Sequence, residues 1–329
     1  KIKIIAEIGV NHNGKISLAK KLIKHAKNVG ADFVKFQCYS SDDLVTDKAK
    51  KAKYQKKFKK MESQKDMLKQ YELSLAQLKE LKKFSKKIRV KFLLSVFDVE
   101  SLKKFKSLKL NIVKIPSGEL NNFQLLEQIS KYNLEIILST GMSKFVEISK
   151  TINYLKKKNK KKITVLHCIS SYPTQPKDVQ IYNMLKIKKN FNIDVGFSDH
   201  TDSYEAAIAA TTLGATTIEK HLTINTNMKG PDHSSSLNPK QFSEFVKYIR
   251  NTEKIIANKH KKISFDESQN LKIVRKSIVA KTKIKKGERF TRNNITTKRP
   301  DNGISASHWF KVLNKIAKKN FEINDKITL

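Results

Sequence analysis

The chain has 329 residues, 39% of them hydrophobic and spread along its length, enough for one large core and one small one. No run approaches the ~20 apolar residues of a membrane span, and two cysteines, Cys38 and Cys168, make no disulfide framework. The formal charge of +38 comes from 68 basic and 30 acidic residues, but only six of the basic ones are Arg and no aromatic platform is interleaved with them, which argues against a nucleic-acid reader.

The first residues, 2–7, read as a strand and not as a signal peptide, because the apolar stretch is too short and Glu7 and Gly9 follow at once. Reduced thiols and the lack of a membrane span make cytoplasmic localisation the expectation. Seven more short, β-branched runs follow at 32–37, 91–96, 112–116, 135–140, 163–168, 194–198 and 217–221. Each leads into a stretch with apolar residues at helical spacing, as in Leu18, Leu22, Ile23 and Ala26. Eight such βα units in about 250 residues predict an α/β fold closed as a (β/α)8 TIM barrel. An open doubly wound sheet is the competitor, but residues 9–14 lack the G-x-G-x-x-G spacing of its first loop.

Residues 40–74 read as an extended Lys-rich loop with helical parts at the barrel mouth, its apolar marks being Tyr54, Phe58, Met61 and Met67. After the eighth unit apolar content drops and charge rises. The expected domains are the barrel over 1–252, a linker over 253–274 and a small β-rich domain over 275–329 with strands at 277–280 and 295–298.

Catalytic residues of such barrels lie at the C-terminal strand ends, and every predicted run ends polar. Glu7 ends the first run; Lys35 and Gln37, two apart and so on one face, end the second. Ser95 ends the third; Lys114, Ser117 and Glu119 the fourth; Ser139 the fifth. The sixth leads through His167 and Cys168 to Tyr172, the seventh ends at Ser198 and His200, and the eighth at Glu219, Lys220 and His221. Eight polar endings on one rim describe a charged pocket.

Lys35 and Lys114 with Ser117, Ser139 and Ser198 suit a phosphate; a Schiff-base lysine is the rival role. His200 and His221 close adjacent strands and, with water or substrate oxygens, suit a divalent transition metal. Glu7 or Glu119 is a further ligand or a base. A polyanion-binding module and a phosphoenolpyruvate-using barrel acting on a plain sugar phosphate are the other classes, and both leave features unexplained. The first ignores the two histidines; the second lacks basic residues for a second phosphate.

These residues sit inside recognisable strings. The opening Ile5-Ala6-Glu7-Ile8-Gly9-Val10-Asn11-His12-Asn13-Gly14 resembles that of the N-acetylneuraminate synthase family. Val34-Lys35-Phe36-Gln37, Lys114-Ile115-Pro116-Ser117-Gly118-Glu119, Leu138-Ser139-Thr140-Gly141-Met142, Gly196-Phe197-Ser198-Asp199-His200-Thr201, Ile218-Glu219-Lys220-His221 and Gly230-Pro231-Asp232-His233 resemble its later motifs. Lys298-Arg299-Pro300-Asp301-Asn302-Gly303-Ile304 resembles the antifreeze-like (SAF) domain that ends these enzymes.

The resemblance implies condensation of phosphoenolpyruvate with N-acetylmannosamine and water to N-acetylneuraminate and phosphate. It implies that Lys35, Lys114, Ser117, Ser139 and Ser198 hold phosphoenolpyruvate, and that His200 and His221 hold the metal, Mn2+ first, with Mg2+ or Co2+ as alternatives. It implies that Glu119 acts on the metal's water, and that Glu7, Gln37, Tyr172 and Asp232 contact the sugar. Arg299 would reach into the partner's barrel in a domain-swapped homodimer. Ser170 stands near the substrates where neuraminate enzymes often carry Asn. The run Pro231-Asp232-His233 with Ser236-Leu237 looks more like the neuraminate and legionaminate branches than the pseudaminate one. The resulting ranking puts neuraminate first and legionaminate second.

Overall fold

The computed structural model describes residues 1–49, 63–257 and 260–329; Tyr54, Phe58 and Met61 lie outside them. The chain divides into two compact units, Lys1–Ala257 and Asn258–Leu329.

The first unit is a closed barrel of eight parallel strands: β1 (Lys3–Gly9), β2 (Phe33–Cys38), β3 (Lys91–Val96), β4 (Ile112–Ile115), β5 (Glu135–Ser139), β6 (Ile163–Cys168), β7 (Asp194–Asp199) and β8 (Thr217–His221). Neighbours in sequence are neighbours in the sheet, and β8 pairs with β1 to close it. The short apolar runs form strands because both their faces are buried, one under helices and one in the barrel. The outward face packs a large layer that includes Ile4, Ala6, Val34, Phe36, Leu94 and Val165. The inward face carries a small apolar plug of Ile5, Phe33, Leu93, Ile137 and Leu166.

Side chains alternate along a strand, so the residue two places beyond each plug residue shares its face. Those residues are Glu7, Lys35, Ser95, Ser139 and Cys168, and Lys114 stands two past Ile112, which packs on the plug. One periodicity therefore builds both the barrel core and the polar floor above it. Side-chain caps start several helices: Ser74 accepts from the backbone of Gln77, Asp98 from Ser101 and Asn238 from Gln241.

Within residues 40–74 the described parts are a single turn, Ser41–Leu44, and the helix Gln64–Tyr71, in which Met67 is buried. Residues 253–274 hold the end of the helix Pro239–Ile256 and the helix Phe265–Val274, which buries no side chain. The second unit pairs β9 (Ser277–Ala280) with β10 (Ile295–Lys298) antiparallel, over a core that includes Ile278, Phe290, Ile295 and Phe321. Among the described residues no helix is long and apolar enough to cross a membrane.

Candidate active site

The C-terminal mouth of the barrel opens into a cavity of about 870 Å3. Every candidate site residue on the barrel except Glu119 lines it, among them Glu7, Lys35, His200, His221 and Asp232. On its floor Lys35 Nζ sits 3.3 Å from Glu7 Oε2 and 3.0 Å from Glu219 Oε2. Glu219 also accepts from Ser198 Oγ at 3.0 Å. Lys114 Nζ donates to Ser139 Oγ at 2.6 Å. All four ionisable side chains are buried, so their charges interact through a poorly screened medium.

Two consequences follow. Burial works against the charge on Lys35, but Glu219 and Glu7 outweigh it and hold the lysine protonated. Lys114 faces a hydroxyl instead of a carboxylate, and burial with its neighbour Lys35 pulls its pKa down to about 8. The carboxylates split in the opposite sense. Burial opposes the charge on Glu219, yet Lys114, Lys35 and the Ser198 hydroxyl hold its pKa low. Burial and the neighbouring Glu219 push Glu7 up to about 7 despite Lys35. A pair of carboxyls driven apart in this way can hold one anion and one transferable proton at neutral pH.

The β7–β8 rim carries the two imidazoles, with ring centroids 5.7 Å apart. His200 Nδ1 lies 2.7 Å from the carbonyl of Ile169 and must donate to it, which leaves Nε2 with its lone pair toward Ser198 Oγ and Tyr172 Oη. His221 Nδ1 is buried with no hydrogen-bond partner, and its closest carboxylate, Asp232, is 3.9 Å away. Burial lowers the pKa of both rings, His200 to about 4, so both are neutral. Burial also raises Asp232 to about 6. Two neutral imidazoles, one with an orphaned nitrogen, fit a divalent metal. Among the described residues no three His, Cys, Asp or Glu side chains form a complete cage, so any further ligands would be water or substrate.

On the opposite rim Ser117 Oγ accepts from the backbone of Gly141 at 2.9 Å and lies 3.2 Å from Cys168 Sγ. A Cβ on Gly141 would fall 2.2 Å from Ser170 Oγ and 2.9 Å from Ser117 Oγ, so only glycine lets the backbone approach these hydroxyls. Ser170 and Tyr172 line the cavity beside them.

One predicted barrel residue stands elsewhere. Glu119 closes the short turn Ser117–Glu119, and its carboxylate accepts from Asn122 Nδ2 at 2.7 Å in an adjoining hollow of about 290 Å3. Arg299 belongs to the second unit, where it is exposed. Glu219 is the residue to which sequence reasoning gave no role. Its signal was available, since it shares the inward face of β8 with His221, two places on.

Residues 22–261 match the model of the NeuB family and residues 275–329 that of the SAF domain. The N,N'-diacetyllegionaminic acid synthase of Campylobacter jejuni is 47% identical over 99% of this chain and 99% of its own. The synthase of the same name from Legionella pneumophila is 36% identical over 92% of this chain and 87% of its own. Among solved structures, the N-acetylneuraminic acid (sialic acid) synthetase of Leptospira borgpetersenii matches with a TM-score of 0.72 and 30% identity, over 82% of this chain and 90% of that one. The expected ranking of neuraminate before legionaminate is thereby corrected: the stronger likeness is to legionaminate enzymes. The chain belongs to the NeuB family: it is an enzyme, a phosphoenolpyruvate-dependent synthase of nonulosonic acids, and it ends in a SAF domain.

Proposed function

We propose that this protein is an N,N'-diacetyllegionaminate synthase. It joins phosphoenolpyruvate and water to the six-carbon diacetamido sugar that remains when the three pyruvate carbons are subtracted from that product. The runner-up is N-acetylneuraminate formation from N-acetylmannosamine. The observation that carries the chemistry is one cavity holding the Lys35–Glu7–Glu219 and Lys114–Ser139 pairs on its floor and two neutral imidazoles on its rim. The legionaminate branch is supported by the 47% identity to the Campylobacter jejuni enzyme.

In this reading Lys35, Lys114, Ser117, Ser139 and Ser198 hold the phosphate and carboxylate of phosphoenolpyruvate. Since Lys35 is already offset by two carboxylates, Lys114 carries most of the free positive charge. Gln37, Tyr172, Asp232 and Ser170 hold the open-chain sugar with its aldehyde against the enol carbon, and this alignment supplies much of the acceleration. C3 of phosphoenolpyruvate attacks the aldehyde carbon, and the aldehyde oxygen takes a proton. Glu7, half-protonated near neutrality, is the group placed to give it. Water adds to the cationic C2 and returns one proton to Glu7; the tetrahedral adduct then expels phosphate, together with the water's second proton, by C–O cleavage and leaves the C2 ketone.

His200 and His221 would hold a divalent metal, Mn2+ or alternatively Mg2+ or Co2+, which when bound supplies Lewis acidity at the aldehyde. Glu119 would have to turn from Asn122 to act on water in this cavity. The enzyme works in the cytoplasm as a domain-swapped homodimer, Arg299 of one protomer completing the barrel site of the other.

The test is phosphate release from phosphoenolpyruvate by metal-stripped protein, resupplied with Mn2+ and one sugar at a time, with the product weighed by mass spectrometry. The diacetamido sugar should release phosphate and give the matching nonulosonic acid. Turnover of N-acetylmannosamine alone would move the enzyme to the neuraminate branch. Release with neither sugar, or without metal, would overturn the reading.

A further inference from the structure

The cavity is zoned, and one zone is unused by the chemistry above. Its wall beyond β2 and β3 is apolar: Leu44 and Val45 from the insertion after β2, Leu68 from the helix Gln64–Tyr71, and Phe97 just past β3. All four are only half-buried, so they remain open to a ligand. The wall is fixed in place. Tyr39, itself buried, donates through its hydroxyl to the carbonyl of Leu68 at 2.9 Å and packs edge-on against Phe97 at 6.0 Å. Glu72 accepts from the backbone and hydroxyl of Ser41 at 2.9 Å each and pairs with Lys104, which ties both ends of the insertion to the barrel. The polar group here is Gln64, one helical turn before Leu68 on the same face. The lysines among the described lining residues, Lys35 and Lys114, sit on the floor.

We propose that Leu44, Val45, Leu68 and Phe97, with Gln64, are the specificity-determining surface for the acceptor sugar, and that they select an acceptor whose far end carries methyl groups: a second acetamido substituent and a deoxygenated terminal carbon. This rests on the proposed function and names what chooses the sugar within it. An acetamido group is an amide with a methyl attached, which Gln64 and Leu68 match. A terminal methyl gains from contact with Leu44, Val45 and Phe97, whereas a terminal hydroxyl there loses its hydrogen bonds to water and a terminal phosphate finds no cation among the described residues of that wall. Differences of this size give about 10- to 200-fold in kcat/KM.

The experiment compares kcat/KM for the deoxygenated diacetamido sugar, N-acetylmannosamine and N-acetylmannosamine 6-phosphate, in the wild type and in Val45→Thr and Leu44→Gln. Val45→Thr is nearly isosteric, so it guards against loss of fold in the second variant, and KM for phosphoenolpyruvate reports the intact floor. The wild type should prefer the diacetamido sugar by at least about tenfold. Each variant should shift that ratio toward N-acetylmannosamine with KM for phosphoenolpyruvate unchanged. Unchanged ratios in both variants would overturn the inference and leave the synthase reading standing. Equal use of the phosphorylated sugar by the wild type would overturn it too. A wild type that turns over none of the sugars would sink the proposed function itself.

Discussion

Lys114 is the cation with spare charge on the floor, and its proton is the least secure. Its pKa is pulled down to about 8 by burial and by Lys35, while Lys35 is held up by two carboxylates. A group with a lowered pKa loses its charge as the pH rises through that value. In the free enzyme, kcat/KM for phosphoenolpyruvate should therefore fall above about pH 7 as Glu7 loses its proton and steepen above about pH 8 as Lys114 loses its charge, by up to about tenfold more per pH unit. Lys114→Arg, whose guanidinium stays charged, should lower the plateau and remove the steeper segment, leaving the fall set by Glu7. The check is a pH–rate profile at limiting phosphoenolpyruvate. A wild-type profile that does not steepen between about pH 8 and 9.5 would mean that Lys114 carries no phosphate-binding charge.

At the scale of elements, the ends of β7 and β8 are joined on the outward face of the sheet, one place from each histidine. Lys220 Nζ lies 2.8 Å from Asp199 Oδ2 and donates also to the carbonyls of Thr201 and Ser203. Both side chains are buried, so cutting the lysine short strands a carboxylate and two carbonyls. Lys220→Met should cost about 3–5 kcal/mol of barrel stability, and adding Asp199→Asn should recover much of it. Urea unfolding followed through the barrel's transition measures both. A single variant that unfolds at the wild-type midpoint would show that the pair is dispensable.

The same elements show what was legible in the sequence. All eight barrel strands were readable within two residues, because short β-branched runs between helical stretches have few other places to go. The polar floor followed from period two along those runs. Glu219 was visible as a strand end, but its contact with Lys35 spans β8 to β2 with β1 between them, and no spacing encodes a distance across a barrel. Glu119 stands apart for a local reason: it closes the turn Ser117–Glu119 and its carboxylate accepts from Asn122 in the adjoining hollow. The choice of sugar stayed out of reach because the wall that would make it comes from Leu44, Val45, Leu68 and Phe97, scattered over more than fifty positions and part of no motif.

The whole molecule raises the question of why a barrel with a complete-looking floor should carry a second unit with its own core. If Arg299 serves the partner's barrel, a catalytic site is assembled from two chains, and the two halves can be damaged separately. Lys114→Met disables a barrel and leaves its SAF domain whole; Arg299→Ala does the reverse. Each variant alone should be nearly inactive. Mixed after dissociation and reassociation, about half of the dimers are heterodimers, each with one undamaged barrel facing one undamaged Arg299, so about a quarter of wild-type activity should return. If Arg299 served its own barrel, every site in the mixture would carry one lesion and nothing would return. An Arg299→Ala variant as active as the wild type would remove the arginine from the site altogether, and the SAF unit would then need a different explanation.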